Sequence, residues 1–270
     1  MSEVEQTARR AADSDAMAWA ARLGLSARAT IYLLMGILAV AVALGRSSSE
    51  TDQRGALTEV ARYSGGKVLL VVIALGFAGY ALWRYSEAAL GVAGDGDGAG
   101  PRLKSLVRAL VYTSLAFSAV AVLTASGGAQ SQGQQQQGLT ESVMRHTGGR
   151  FLVGAVGLAV LGAGAVMVYE GATQAFEKYL AMSQMSSSVR LAVRRLGTIG
   201  TIARGIVIGL SGVLVVQAAV SFRPDKARGL DGALGTLAAQ PHGKVLLVAA
   251  GLGLAVFGVY GFAEARWRRT

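Results

Sequence analysis

"GGKVLL", residues 65–70, places two glycines and a cation directly before a long apolar run. The chain writes nearly the same phrase as "GGRFLV" at 148–153 and as "HGKVLL" at 242–247. Aligning the copies on the cation of each phrase places a glycine twelve residues upstream and a glutamate twenty residues downstream in every copy. Self-similarity at this length predicts one supersecondary unit that occurs three times.

The apolar runs have the length of membrane spans. Of the 270 residues, 52% are hydrophobic and 16% are charged, and the charges cluster between long uncharged runs. A bilayer core of roughly 30 Å needs about 20 helical residues, and each run reaches this length when flanking charged side chains extend to the interface. The sequence therefore predicts an all-α integral membrane protein with six transmembrane helices as three tandem helical hairpins. The runs are 29–45, 68–83, 109–127, 151–169, 205–222 and 245–263.

Each repeat is predicted to contain an arginine, a helix, a polar loop with a short glycine-led segment, the cation, a second helix and the glutamate. In the first two copies a tyrosine, Tyr32 or Tyr112, follows the arginine by four residues, whereas the third copy has Ile208. The predicted boundaries are an N-terminal segment 1–21, repeat 1 at 22–93, a linker 94–101, repeat 2 at 102–183, a linker 184–194 and repeat 3 at 195–270.

This pattern resembles the bacterial membrane-protein family catalogued as domain of unknown function 1206, whose members carry a two-helix transmembrane unit three times. The resemblance rests on the opening "ARLGLSARATIYLLMG", the three "[GH]G[KR]" phrases and the three glutamates, and it covers residues 22–268. It implies the architecture and supplies no catalytic residues.

Residue types exclude several kinds of site. The chain has no cysteine, which excludes disulfides, thiolate metal sites and cysteine nucleophiles. The two histidines, His146 and His242, lie in loops without the spacing of a metal motif. Leu106 stands where an EF-hand that begins at Asp95 requires a glutamate. We expect no metal, no cofactor and no enzymatic activity.

The repeated charged residues are the candidate sites. Each arginine begins the first helix of a repeat and each glutamate ends the second, so antiparallel neighbours bring them to a similar depth as an inner-interface polar ring. Three interpretations are open: a structural Arg–Glu clamp between hairpins, a polar vestibule that binds an anion or lipid headgroup or passes a proton, and extension to the interface without pairing. The ring residues are Arg28, Arg108, Arg204, Glu87, Glu170 and Glu264, and the predicted outer-interface anchors are Lys67, Arg150 and Lys244.

The connecting segments differ in composition. Residues 94–101 read as a flexible linker, and the glutamine-rich residues 131–138 as a low-complexity external loop. Residues 171–203 and the N-terminal 16–25 carry apolar residues at helical spacing, which favours helices that lie along the inner surface; solvated connectors are the alternative. Glycines within the spans favour close helix packing inside one chain, with a dimer face or a ligand contact as the alternatives.

The distribution of basic residues predicts the orientation. Of the 26 Lys and Arg, 16 fall on the side of the termini and 10 on the other side, and the positive-inside rule then places both termini in the cytoplasm of a bacterial inner membrane. The expected partners are the lipid bilayer and anionic lipid headgroups, with no nucleic acid. The predicted role is structural, lipid-interacting or stress-related, and the alternative is a small transporter or channel that uses the Arg and Glu triplets.

This orientation is tested by reporter fusions. Fusions at the N-terminus, near Gly98 and at Thr270 should report a cytoplasmic location, and fusions near Arg54, Gln135 and Lys226 an external one, because six spans return the chain to its starting side. A cytoplasmic reading near Gln135 would overturn the assignment.

Overall fold

The computed structural model of the protein describes residues 15–46, 53–62, 65–90, 98–124, 132–227 and 229–268. Over these ranges it contains nine α-helices and no β-strand, and six of the helices are long and apolar enough to cross a membrane. The predicted all-α fold with six spans is confirmed. The helices are α1 (Asp15–Ala43), α2 (Gln53–Arg62), α3 (Gly66–Leu90), α4 (Ala99–Thr124), α5 (Gln132–Met144), α6 (Gly149–Ala172), α7 (Ser187–Ser221), α8 (Gly229–Ala238) and α9 (Gly243–Trp267).

The six long helices α1, α3, α4, α6, α7 and α9 form a bundle with two different ends. At the terminal end, Arg28 in the middle of α1 contacts Glu264 near the end of α9. The short helices α2, α5 and α8 lie at the opposite, loop-helix end, each between the two long helices of its repeat along the chain.

Local backbone geometry explains the repeated phrase. Its first residue has a left-handed φ in all three copies, +83° at Gly65, +82° at Gly148 and +65° at His242, a conformation that glycine adopts at least cost. The second residue of the phrase begins the next long helix and lies against carbonyl groups near the end of the preceding short helix. A Cβ on Gly149 would lie 1.8 Å from the carbonyl oxygen of Val143, and the glycines at the second position of the other two phrases, Gly66 and Gly243, are similarly confined. The phrase is therefore the sharp turn from short helix to membrane span.

The glutamine-rich segment differs from its prediction. Gln132 begins α5, so these residues form a helix instead of a loop. Glutamine has good intrinsic helix propensity, and the helix is held by tertiary contacts: Met144 is buried and Gln137 Nε2 donates to the Asp225 carbonyl at 2.7 Å. The amino-acid composition of the segment does not predict these contacts.

Small residues bring consecutive repeats into backbone contact. Between α9 and α1, a Cβ on Gly36 would lie 2.4 Å from the Gly251 carbonyl oxygen, and a Cβ on Gly258 would lie 2.8 Å from the Ala29 carbonyl oxygen. Helices that approach this closely gain van der Waals contact that larger side chains would prevent. The predicted packing within one chain is thus seen at these glycines.

The same register recurs between α6 and α7. Gly157 and Gly164 face Gly212 and Gly205, and a Cβ on Gly205 would lie 2.9 Å from the Gly164 carbonyl oxygen. Counted from the repeat arginine and glutamate, these four positions match those between α9 and α1. Alanines occupy the matching positions of α3 and α4, which also pack against each other: Ala74, Ala81, Ala109 and Ala116.

The long helices form a ring that is open on one side. Their packing order is α6, α7, α9, α1, α3 and α4, and in repeats 1 and 3 the two long helices also pack against each other. By contrast, α4 and α6, the two long helices of repeat 2, do not pack together along residues 99–124 and 149–172. The ring is therefore open between α4 and α6.

The connections at the terminal end are more ordered than predicted. α7 begins at Ser187, with Ser186 Oγ accepting from the Val189 amide, so the segment predicted to lie along the surface continues the fifth span. α1 likewise begins at Asp15 and includes the N-terminal amphipathic segment. Short turns at 175–179 and 182–184 join α6 to α7, fixed by the Ala181 amide to the Trp267 carbonyl at 2.8 Å. Residues 1–14 of the predicted N-terminal segment and 94–97 of the predicted linker lie outside the described residues.

The phrase geometry predicts a position-specific cost of adding a methyl group. Gly149→Ala should lower the melting temperature clearly, because the Val143 carbonyl occupies the space of the new Cβ. Gly162→Ala, the same change on the same helix with nothing within 4 Å of the new Cβ, should be neutral or stabilise by up to about 1 kcal/mol. Thermal unfolding of the two detergent-solubilised variants checks this, and equal melting temperatures would contradict it.

Candidate functional site

The ring of long helices encloses a cavity of about 820 Å³. It runs from the terminal end, where Arg84 and Arg268 line it, to the loop-helix end, where Gln53 and Gln136 line it. A volume in the range of about 300–1,000 Å³ is typical of small-molecule sites. The open side of the ring, between α4 and α6, borders this cavity.

Repeat-equivalent residues converge on the cavity. All three repeat arginines line it, as do the residues four positions after each arginine and seven positions before each repeat glutamate. The residues two positions before the glycine of each short helix close it at the loop-helix end. The site is thus built from one set of positions used three times. In repeat order these sets are Arg28, Arg108, Arg204; Tyr32, Tyr112, Ile208; Tyr80, Ala163, Phe257; and Gln53, Gln136, Leu230.

Cations outnumber carboxylates in the cavity wall. Among the described residues, six basic side chains and two carboxylates line it, and Glu87 lies directly behind Arg84. Counting these nine groups gives a net charge of three positive units. Ionisable groups at membrane depth are rare and face interiors or cavities that carry function. The six cations are Arg28, Arg84, Lys104, Arg108, Arg204 and Arg268, and the lining carboxylates are Glu170 and Glu264.

One of the three expected Arg–Glu pairs forms. Arg28 donates to Oε2 of Glu264, and Arg268 donates to Oε1 of the same carboxylate. All three residues are largely buried in this arrangement. The Arg28 contact joins the first and last spans at the terminal end, between repeats 1 and 3, and Arg268 adds a second donor from the end of α9.

The other two glutamates have different partners from those expected. Glu87 accepts from Arg84 Nη1 at 2.5 Å, on its own helix, and from Ser105 Oγ at 3.0 Å. Glu170 lies 3.5 Å from Lys104 Nζ on α4. Arg84, one helical turn away, thus pairs with Glu87 in place of a repeat arginine, and Lys104, across the open side, does the same for Glu170.

Two repeat arginines consequently face the cavity without a carboxylate. Within the described residues, neither Arg108 nor Arg204 has one at ion-pair distance. Arg204 Nε donates to the Tyr32 hydroxyl at 2.9 Å, and its guanidinium lies 4.7 Å from the Phe257 ring centroid. Arg108 is half-buried and faces electrostatic repulsion from Arg84, Arg268 and Arg28. The excess positive charge of the cavity wall is therefore carried by Arg108 and Arg204, which line the cavity without a carboxylate partner.

The predicted outer anchors lie away from the cavity. Lys67, Arg150 and Lys244 are all exposed at the first turn of a long helix. Arg150 also donates to the Val220 carbonyl at 3.0 Å and covers the Phe222 ring, so it caps the last turn of α7. Interface anchoring by the three cations remains a prediction.

Sequence analysis missed three of the lining cations. Arg84 and Arg268 lie three residues before and four residues after a repeat glutamate, and Lys104 lies four residues before a repeat arginine. Spacings of three and four place side chains on the same helix face, which is the signal that could have found them. Among the residues the structure describes, no three His, Asp or Glu side chains cluster as metal ligands would.

The six spans and the polar interior define the chain as a multi-pass membrane protein with a cationic cavity inside its helix ring. The chain belongs to the family described as Domain of Unknown Function (DUF1206), whose profile matches residues 23–91, 103–174 and 199–268, once per repeat. A relative in Bacillus subtilis (strain 168), the uncharacterized protein YxxB, is 33% identical over 246 residues, covering 90% of this chain and 88% of its own. No solved structure matches the chain.

The unequal pairing of the glutamates predicts unequal costs of neutralisation. Glu264→Gln should destabilise the protein by about 3–5 kcal/mol, because two buried guanidiniums lose their counter-charge. Glu170→Gln should cost less than about 1 kcal/mol, because its partner Lys104 is 47% exposed. Thermal unfolding in one detergent compares the two variants, and a larger loss for Glu170→Gln would show that the pairing is wrong.

Proposed function

We propose that this protein binds an anionic ligand in the cavity inside its helix ring. The observation that carries the proposal is the excess of cations, above all Arg108 and Arg204, which face the cavity without a carboxylate. The repeated use of equivalent positions gives the ligand donors from all three repeats.

The physical reason is the cost of a desolvated cation. An arginine side chain stays charged at every physiological pH and offers five donors. In a membrane interior such a charge is unfavourable unless it is paired or hydrated. Glu264 and Glu87 supply that pairing for three arginines. A phosphate or carboxylate on a ligand would supply it for the other two.

Binding accounts for this set of side chains better than catalysis does. The cations are mostly arginines, which hold anions but do not exchange protons under physiological conditions. Two of the carboxylates, Glu264 and Glu87, are occupied by buried guanidiniums and are poorly suited to act as general bases. We therefore assign the cavity to recognition and not to a chemical step.

We further propose that the protein lies in the bacterial cytoplasmic membrane with its terminal end in the cytoplasm. The excess of Lys and Arg on the side of the termini supports this orientation. The arginine-rich end of the cavity would then open near the cytoplasmic leaflet, whose anionic lipids attract basic surfaces. The bilayer would be both the solvent and a partner of the protein.

Transport is the second candidate function. It is favoured by the height of the cavity, which reaches from Arg268 at the terminal end to Gln53 and Gln136 at the loop-helix end. A ligand bound by the arginines could pass between the short helices if these moved apart. A purely structural role is supported by the pairing of Arg28 and Arg268 with Glu264 and of Arg84 with Glu87, but it leaves Arg108 and Arg204 unexplained.

Anion binding is tested by stabilisation against heat. Inorganic pyrophosphate, titrated at constant ionic strength into delipidated protein in detergent, should raise the melting temperature, since a ligand bound only by the folded state stabilises it. The double variant Arg108→Gln, Arg204→Gln should lose most of this response. The control, Lys67→Gln with Lys244→Gln, removes the same charge from exposed sites at the loop-helix end and should keep it. Equal responses of the two double variants would overturn the proposal.

A further inference from the structure

We infer that the ligand is a membrane lipid with an anionic headgroup, which enters sideways between α4 and α6. The inference rests on the proposed anion site and names its ligand class and its entry route. It is drawn from the open side of the ring, from an aromatic pair that is missing beside it, and from the polarity of the cavity wall.

The open side faces the region that a bilayer would occupy. Within their most apolar windows, α4 and α6 are only 22% and 17% buried, against 44–50% for the other four spans. One face of each helix nevertheless lines the cavity. On α4, for example, Leu103 and Val107 line the cavity and are 61% and 53% exposed. The cavity wall is therefore continuous with the surface between the two helices.

A departure from the repeat pattern lies beside this opening. At the position seven residues before the repeat glutamate, repeats 1 and 3 have Tyr80 and Phe257, which are buried and make edge-to-face contacts with Tyr112 of repeat 2 and Tyr32 of repeat 1. The ring centroids lie 4.3 Å apart for Tyr80 and Tyr112 and 4.9 Å apart for Phe257 and Tyr32.

The second repeat has no ring at that position. Ala163 stands there, and Ile208 stands where the following repeat would supply a tyrosine. An aromatic pair that fills the interior at two junctions is thus missing at the third, next to the open side. The space it leaves belongs to the cavity, since Ala163 and Ile208 both line it.

The polarity of the wall matches an amphiphile. The arginines and Lys104 lie toward the terminal end, whereas Val111, Leu115, Val160 and Val166 line the middle. A phosphate at the arginines would leave an attached acyl chain against these apolar side chains, from which it could continue through the opening into the bilayer. An anion without an acyl chain would leave this apolar part of the wall without a ligand contact.

Two polar features at the terminal end suit a headgroup. The Thr201 hydroxyl is buried, lines the cavity and has no hydrogen-bond partner in the structure, so a ligand oxygen or hydroxyl would satisfy it. Lys104 and Glu170 pair across the mouth of the opening. This partly exposed pair can separate at small cost, which allows a headgroup to pass between α4 and α6.

The test measures retained lipid by native mass spectrometry. Delipidated protein is equilibrated with dioleoyl phosphatidylglycerol or dioleoyl phosphatidylcholine and released from detergent. Wild type should retain the anionic lipid, and Arg108→Gln with Arg204→Gln should retain roughly tenfold less of it. Ala163→Phe restores the ring of the other repeats and should also retain roughly tenfold less, while Ala165→Phe, on an exposed position of α6 that does not line the cavity, should match wild type.

The outcomes separate this inference from the proposed function. Loss of lipid in Ala163→Phe, with the response to inorganic pyrophosphate kept, supports sideways entry of a lipid. Equal retention of the two lipids, or equal retention by Ala163→Phe and Ala165→Phe, overturns the inference even where pyrophosphate still binds through Arg108 and Arg204. A dimer that replaces the lipid-bound monomer in the spectrum also overturns it, because the open side would then receive a second copy of the chain. If pyrophosphate does not raise the melting temperature of the wild type, the proposed anion site itself is wrong.

Discussion

Backbone-to-backbone packing between consecutive repeats is the constraint on which the rest of the structure depends. The small residues lie one and eight positions after the repeat arginine, and thirteen and six positions before the repeat glutamate. This spacing of seven keeps them on one helix face, so the arginine and the residue four positions after it turn toward the ring interior. The cavity lining therefore follows from the helix contacts: the register that lets two backbones touch also selects which side chains face inward.

Three similar junctions do not give a symmetric molecule. The junction between repeats 3 and 1 carries both a glycine contact and the Glu264 pairing, and the junction between repeats 2 and 3 has the glycines but neither the aromatic pair nor the ion pair. Because α4 and α6 do not pack against each other, repeat 2 can splay while its contacts to repeats 1 and 3 persist. The asymmetry of the ring is thus located within repeat 2, where the sequence departs from its own pattern.

The spans and their threefold repetition could be predicted because length and apolar composition are local properties. The helix in the glutamine-rich segment and the early start of α7 could not, since both depend on tertiary contacts such as Gln137 to the Asp225 carbonyl. Pairing was the least predictable feature. Spacing placed the repeat arginines and glutamates at one end of the bundle. Which cation pairs with each glutamate depends on further cations three or four positions from the repeat residues: Arg84 pairs with Glu87, and Lys104 pairs with Glu170.

The charges at the terminal end explain how the same repeated arginine position can join two spans in one repeat and face the cavity without a carboxylate in another. Arg28 and Arg268 share the single carboxylate of Glu264, so the junction that closes the ring already holds more positive than negative charge. Arg108 lies in the field of these arginines, and a carboxylate nearby would relieve the repulsion. The repeat supplies one, Glu87, but Arg84 and Ser105 occupy it. A fold that needed only stability would gain from an uncharged residue at position 108. The arginine is understandable if the missing negative charge arrives with a ligand, because the same unfavourable field that destabilises the empty cavity then strengthens the binding of an anion.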